Sequence, residues 1–295
     1  MTPHRPLPRL SFGAGAGQGH RTLPEEVAVA LSFNGTTQAV MMASPGDLVD
    51  FAYGFALTAG IAQPHEIDSV EIVTHPRGID VQIWLAPGAE TRLANRRRTM
   101  AGPVGCGLCG IDSLDQALRE PPNVPPSSFQ MTPTQIMQAI AQLPASQPLH
   151  DATRAAHAAG FWNAGLLAVR EDVGRHNALD KLAGHLIRQP AQTGAILLTS
   201  RVSIDMVQKV AALQQPVLIA VSAPTAHAVA LADAAGITLI ALARPDRFEA
   251  FTHTHRIKEA ADVRCKANLH GEPDRQIHGV QAPCRGGGQP RVPYQ

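Results

Sequence analysis

The chain lacks an excess of charge of either sign: 25 Lys and Arg stand against 24 Asp and Glu. No overall basic field is available for bulk binding to nucleic acid, so recognition of an anion must come from local placement of Arg and His. It also lacks an uninterrupted apolar run of about 18 residues, the length a membrane-spanning helix requires. The nearest approach, Ala226 to Ala243, is broken by Asp233 and Gly236. Prolines, arginines and glycines occupy Met1 to Arg21, where a secretory leader would need an apolar centre. These absences predict a cytoplasmic protein with neither a membrane nor a nucleic-acid partner. Cysteine is scarce as well: Cys106, Cys109, Cys265 and Cys284 are all there is. In a reducing compartment a close pair is more often catalytic or metal-binding than a structural disulfide, and the two distant cysteines sit in a polar C-terminal stretch.

What is present suffices for one large domain or two modest ones, since 44% of the 295 residues are hydrophobic. Residues 1–22 read as a disordered leader. The run Gly13-Ala14-Gly15-Ala16-Gly17-Gln18-Gly19 misses the dinucleotide-binding spacing and has neither a strand before it nor an apolar helix after it. From residue 23 to 119 the pattern is that of a smaller α+β subregion. A hairpin over Val27–Phe33 and Gln38–Met42 turns at Asn34-Gly35, which tolerates positive φ. Ser44-Pro45 would cap a helix over Gly46–Ala59, and a second hairpin runs from Val70 to Leu85. A cysteine loop at 102–110 and a short helix over 111–118 follow. Residues 120–127 are Pro-rich and mark the best boundary.

After a helix from Thr132-Pro133 through Leu143, residues 128–258 alternate. Apolar runs at Gly165–Val169, Ala195–Thr199, Val217–Val221 and Ile237–Ala243 are separated by helical patterns at Asn177–Ile187, Ser203–Leu213 and Thr225–Ala235. Short apolar strands between amphipathic helices predict βαβ units and a sheet covered on both faces. Residues 259–295 turn polar and Gly/Pro-rich and read as a disordered tail.

Two features carry chemistry. In Gly105-Cys106-Gly107-Leu108-Cys109-Gly110 the glycines allow close approach to a ligand, and the thiols precede a helical pattern whose free N–H groups favour a thiolate. Arg96-Arg97-Arg98 upstream adds positive potential. A structural zinc site would need about four ligands, and no second close cysteine pair supplies them. A thioredoxin-type dithiol or two inert cysteines are the other readings, and spacing alone leaves the choice open.

The second feature is the set of strand-to-helix turns. Glu171-Asp172-Val173-Gly174-Arg175-His176-Asn177, Ser200-Arg201-Val202-Ser203 and Ser222-Ala223-Pro224-Thr225 should share one sheet edge, where ligands bind in open α/β folds. Helix N-termini with Ser, Thr and Arg suit phosphate, so an anionic, phosphorylated small molecule is expected. Ser203 and Thr225 would serve as N-caps in any case, and Asp180-Lys181 reads equally as a solvated face. Downstream, Arg247 to Arg256 gathers two aromatics and two histidines that could flank a planar base.

In order along residues 23–258, these stretches resemble the formate dehydrogenase accessory sulfurtransferase family (FdhD). The matching pieces include Met41-Met42-Ala43-Ser44-Pro45-Gly46-Asp47-Leu48, the cysteine loop, and above all Glu171 to Lys181. Ser200 to Ser203, Ser222 to Thr225 and Thr252-His253 complete the set. Three positions depart from the family pattern: Val104, Arg154 before His157, and Phe251 before Thr252.

The resemblance implies an α/β, cytidine deaminase-like three-layer sheet without zinc or another structural metal, usually as a homodimer. It implies persulfide sulfur accepted from a cysteine desulfurase and passed to Mo-bis-molybdopterin guanine dinucleotide, bound as substrate and destined for the formate dehydrogenase apoenzyme. Carried over by position, Cys106 holds the persulfide with Cys109 as second thiol. Phe248, Glu249, Ala250, Phe251, Thr252 and His253 then contact the guanine end, beside Arg175, His176, Ser200, Arg201 and Ser222. A non-catalytic cofactor carrier is one rival. A zinc nucleobase deaminase is another, although His157-Ala158-Ala159 lacks the glutamate that chemistry needs.

Overall fold

The computed structural model describes residues 2–88 and 120–258. The cysteine loop, the short helix expected at 111–118 and the tail from 259 lie outside the described residues.

The stretch read as a disordered leader is instead a hairpin. Strand β1 (His4–Ser11) pairs antiparallel with β2 (Gly17–Pro24). Pro6 and Pro8 are two residues apart, so both missing N–H groups fall on the same edge of β1 and the other edge is free to pair. Gly13, Gly15 and Gly17 take positive φ in the turn, which is why the glycines are there.

Strands β3 (Val27–Phe33), β4 (Thr36–Ala43), β5 (Ile67–His75) and β6 (Gly78–Leu85) form a sheet in the order β4-β3-β6-β5. Asn34 and Gly35 make the expected left-handed turn. Val29, Leu31 and Phe33 alternate inward against Phe51 and Phe55 of helix α1 (Leu48–Thr58). The helix does not start on a Ser44 cap. Asp47, at φ 55°, precedes it without a side-chain cap, because Ser44 is engaged elsewhere.

The second sheet has the order β12-β11-β10-β9-β7-β8. Its strands are β7 (His157–Trp162), β8 (Leu166–Asp172), β9 (Ala195–Leu198), β10 (Val217–Ala220), β11 (Thr238–Arg244) and β12 (Arg247–Ala250). Strands β9, β10 and β11 are parallel, whereas β7 runs against both neighbours. The βαβ expectation holds for β8 to β11, but β7 slips between β8 and β9. Its sequence, His-Ala-Ala-Gly-Phe-Trp, has no β-branched residue and reads weakly as a strand.

Successive residues of β9 face opposite layers. Ile196 and Leu198 pack towards α4 (Arg175–Ile187), α5 (Ile204–Ala212) and α6 (Ala226–Ala234). Ala195 and Leu197 pack towards α2 (Pro133–Gln142) on the other face. Thr132 caps α2 reciprocally with Gln135, and the short α3 (Pro148–Thr153) leads through Arg154, at φ 60°, into β7. The Pro-rich boundary is extended chain, pinned where Val124 N–H donates to the Ala235 carbonyl.

The two sheets belong to one compact unit because α1 and α4 cross in direct backbone contact. A Cβ on Gly54 would lie 1.7 Å from the Asp180 carbonyl oxygen, and one on Gly184 equally close to that of Asp50. Overpacking of this kind costs about 1–3 kcal/mol and sometimes more, so Gly54→Ala should cost at least about 3 kcal/mol in chemical denaturation. Gly46→Ala, which meets open space, is expected to stay within about 0.5 kcal/mol of the parent. Equal stabilities for the two variants would refute the close crossing.

Candidate functional site

The three strand-to-helix turns do share one edge of the six-stranded sheet, and hydrogen bonds join them. Val202 N–H donates to the Ala223 carbonyl and Thr225 N–H to that of Val202, tying the second turn to the third. His176 at the start of α4 lies 3.4 Å from Asp205 in the first turn of α5, tying the first to the second. That contact holds the Asp205 carboxyl below its usual range, outweighing the opposite effect of burial. His157, the first residue of β7, reaches the same edge because β7 is antiparallel. Burial, then Arg175 and the neighbouring His150, lowers its pKa, with Asp172 opposing and His176 adding to the shift.

Within the block Glu171 to Lys181 the structure divides the work. Lys181 and Asp172 are fully buried and pair at 2.6 Å. Lys181 Nζ also donates to the Ser44 carbonyl, Ser44 N–H donates to Asp172, and Val173 N–H donates to the Ser44 hydroxyl. Asn177 donates to Asp172 and to the Met42 carbonyl. Asp180 accepts from Lys209 at 2.7 Å and from Thr58. Asp180 and Lys181 are therefore core links and not a solvated face. Glu171 accepts from the N–H groups of Leu149 and His150 at the start of α3.

That leaves Arg175 and His176 at the edge, both partly exposed. Arg175 Nε is enclosed and has no hydrogen-bond partner among the described residues. A buried donor left unpaired is costly, which marks this guanidinium as open to an anion. Arg201, in the second turn, is exposed. Ser200 is buried and bonds locally to the Arg201 carbonyl, and Ser222 is half-buried at the end of β10. Thr225 caps α6 as expected, accepting from Ala228 N–H. Ser203 does not cap α5; its hydroxyl turns to Asp205. His150, His157 and Asp205 belong to the edge and were not named as site residues from sequence; for His157 the reason is that nothing local shows an antiparallel strand bringing it there.

The stretch from Phe248 to His253 starts beside this edge, where Arg247 pairs with Arg244, and runs away from it. Strand β12 runs back along β11, so Thr252 and His253 end at the amino end of β11. The Thr252 hydroxyl donates to the Ile237 carbonyl and accepts from Leu239 N–H, which is a structural role. His253 lies against the Asp233 carbonyl at the end of α6. Phe248 packs against the core, while Glu249, Ala250 and Phe251 are exposed. Cys106 and Cys109 lie outside the described residues.

With this geometry in place, comparison with known proteins decides the family. The model of the FdhD/NarQ family matches residues 24–258. The chain belongs to the FdhD/NarQ family. It is 54% identical over 244 residues to a protein of Agrobacterium fabrum named sulfur carrier protein FdhD, covering 81% of this chain and 90% of that one. A Brucella abortus protein of the same name is 52% identical, covering 84% and 94%. A crystal structure described as that of a formate dehydrogenase accessory protein from Desulfotalea psychrophila superposes with a TM-score of 0.67 at 26% identity, covering 87% of this chain and all of that one. Among the described residues no helix is long and apolar enough to cross a membrane.

Two outcomes test this division of the family block. Removing one partner of a buried pair costs about 3–5 kcal/mol, so Lys181→Met should destabilise the protein by that much, while Arg175→Ala stays within about 0.5 kcal/mol. Anion binding should be linked to pH. An anion beside Arg175 relieves the repulsion on His157, so binding takes up a proton there, and sulfate, which does not itself titrate between about pH 8 and about 6, should bind more tightly as pH falls through that range. Titration calorimetry in buffers of differing ionisation enthalpy reads the proton, and His157→Ala should abolish that uptake. An unchanged uptake in His157→Ala would sink the assignment.

Proposed function

We propose that this chain is a sulfur carrier. The observation that carries the reading is its identity to proteins named sulfur carrier protein FdhD over nine-tenths or more of their length. Cys106 as thiolate attacks the terminal sulfur of a cysteine desulfurase persulfide, forming a Cys106 persulfide and releasing the donor thiolate. Cys109 is the second thiol. When the Cys109 thiolate attacks the inner sulfur of that persulfide, a Cys106–Cys109 disulfide forms and the outer sulfur leaves as sulfide, which passes to Mo-bis-molybdopterin guanine dinucleotide, held as substrate, for the formate dehydrogenase apoenzyme.

The edge formed by Arg175, His176, Ser200, Arg201 and Ser222 supports the phosphate-binding part of this reading. Its side chains and helix N-termini offer several N–H donors and little opposing charge beyond Asp205. The guanine end is assigned to Phe248–His253, of which Glu249, Ala250 and Phe251 have side chains free to meet it. The six-stranded sheet, with α4 to α6 on one face and α2 on the other, supports a cytidine deaminase-like description of residues 128–258. A cytoplasmic homodimer is part of the same proposal.

Intact-protein mass spectrometry after incubation with a cysteine desulfurase and cysteine should show a gain of one sulfur on the peptide holding Cys106. Cys106→Ser should lose that gain and fail to support formate dehydrogenase activity while still binding guanosine diphosphate. Full activity of Cys106→Ser would instead favour a non-catalytic cofactor carrier.

A further inference from the structure

The β1–β2 hairpin is left unexplained by everything above. The family model begins at residue 24, where β2 ends. Between residues 2 and 23 the sequence has Arg5, Arg9 and Arg21 with His4 and His20, and no acidic residue. Pairing sorts these side chains by face. Arg5 lies opposite Leu23, Leu7 opposite Arg21, and Arg9 opposite Gly19, so all three arginines and both leucines project from one face. All three arginines are exposed, and among the described residues Arg5 alone has an acidic partner, Glu25. At the tip Leu10 is 60% and Phe12 83% exposed, unusual for a hairpin with no partner.

We propose that this face is a docking surface for an extended acidic segment of a partner protein. The guanidinium-bearing levels are residues 5, 7 and 9 of β1, two residues apart, or about 6.8 Å each. Alternate side chains of an extended peptide repeat at the same distance, so consecutive carboxylates on one face meet consecutive arginines. Leu7 and Leu23 between them decide against a nucleic acid, whose backbone offers nothing to an aliphatic side chain, and favour a segment that alternates acidic and apolar residues.

The same face of a second copy carries the same charge and is repelled. Segments 89–119 and 259–295 of this chain each contain more Arg and Lys than Asp and Glu, so neither is the complement. The position also suits a docking arm. Arg21 donates to the Thr153 carbonyl at the end of α3, and α3 leads directly to His157 at the phosphate-ready edge. A partner held on the hairpin is thus placed beside that edge. The inference stands whether or not sulfur is the cargo.

The test uses the full chain and a fluorescein-labelled peptide of alternating glutamate and leucine, read by anisotropy at low salt. Binding should be at least about tenfold tighter than to the glutamine–leucine counterpart and should weaken with salt. The double variant Arg9→Gln/Arg21→Gln should lose about tenfold or more, while Arg9→Lys/Arg21→Lys keeps most of the affinity and both keep the parent melting temperature. Equal binding of the two peptides, or undiminished binding by the glutamine variant, overturns the proposal. So does tighter binding of oligothymidylate than of the acidic peptide.

Discussion

At Gly54 and Gly184 two helices touch backbone to backbone, and neither position has room for a Cβ. With no side chains between them, α1 and α4 lie close enough to bury Asp50, Asp180 and Lys181, and each of these is paired. Asp50 on α1 takes Arg170 and Arg188. Asp180 on α4 takes Lys209 and the Thr58 hydroxyl. Lys181 takes Asp172 and the Ser44 carbonyl. Buried pairs like these are weak evidence for net stability, because desolvation offsets most of their attraction. Their value here is positional. The partners come from β8, α5, α1 and the residue that ends α4, so sliding one helix along the other by a turn would strand several charges at once.

This explains why the most recognisable block of sequence, Glu171 to Lys181, is mostly architecture. Asp172, Asn177, Asp180 and Lys181 face the join between the two sheets, and Glu171 anchors α3. Arg175 and His176 occupy the first turn of α4, on the side that the join leaves open. The Gly174 N–H and carbonyl are both bonded, to Asp172 and to Ala178, which fixes where the Arg175 side chain leaves the helix. Chemistry and structure are interleaved at helical spacing in one short block, which is why sequence alone pointed to the block but misassigned Asp180 and Lys181.

The alternation of the second half was legible because strands buried on both faces must be apolar, and their helices show a helical period. The edge was legible for the same reason, since successive parallel strands put their carboxyl ends together. What escaped was whatever depends on a distant partner. Strand β7 is built of small residues that only its neighbours make into a strand, and its direction alone brings His157 to the edge. The leader looked unstructured because two prolines and a glycine run mimic a linker; only their register, with both prolines on one side, permits a hairpin. Ser44 looked like a helix cap because caps and buried links use the same hydroxyl.

The placement of Phe248 to His253 constrains any ligand that uses both this stretch and Arg175. The three crossovers from β8 to β11 direct the N-termini of α4, α5 and α6 towards one edge, and the positive groups gather there although the chain as a whole is nearly neutral. Strand β12 carries the chain back the other way. The seven residues of β11 separate Arg244, at the phosphate-ready end, from Thr238, which donates to the His253 carbonyl. At about 3.3 Å per residue that is roughly 20 Å of strand. A lone phosphate cannot bridge such a distance within one copy of the chain, and a molecule that touches both ends has to lie extended along the sheet. Only Thr252 and His253 lie that far from Arg175, however; Phe248 sits beside the Arg244–Arg247 pair, so contact with the whole stretch means following β12 from one end of the sheet to the other.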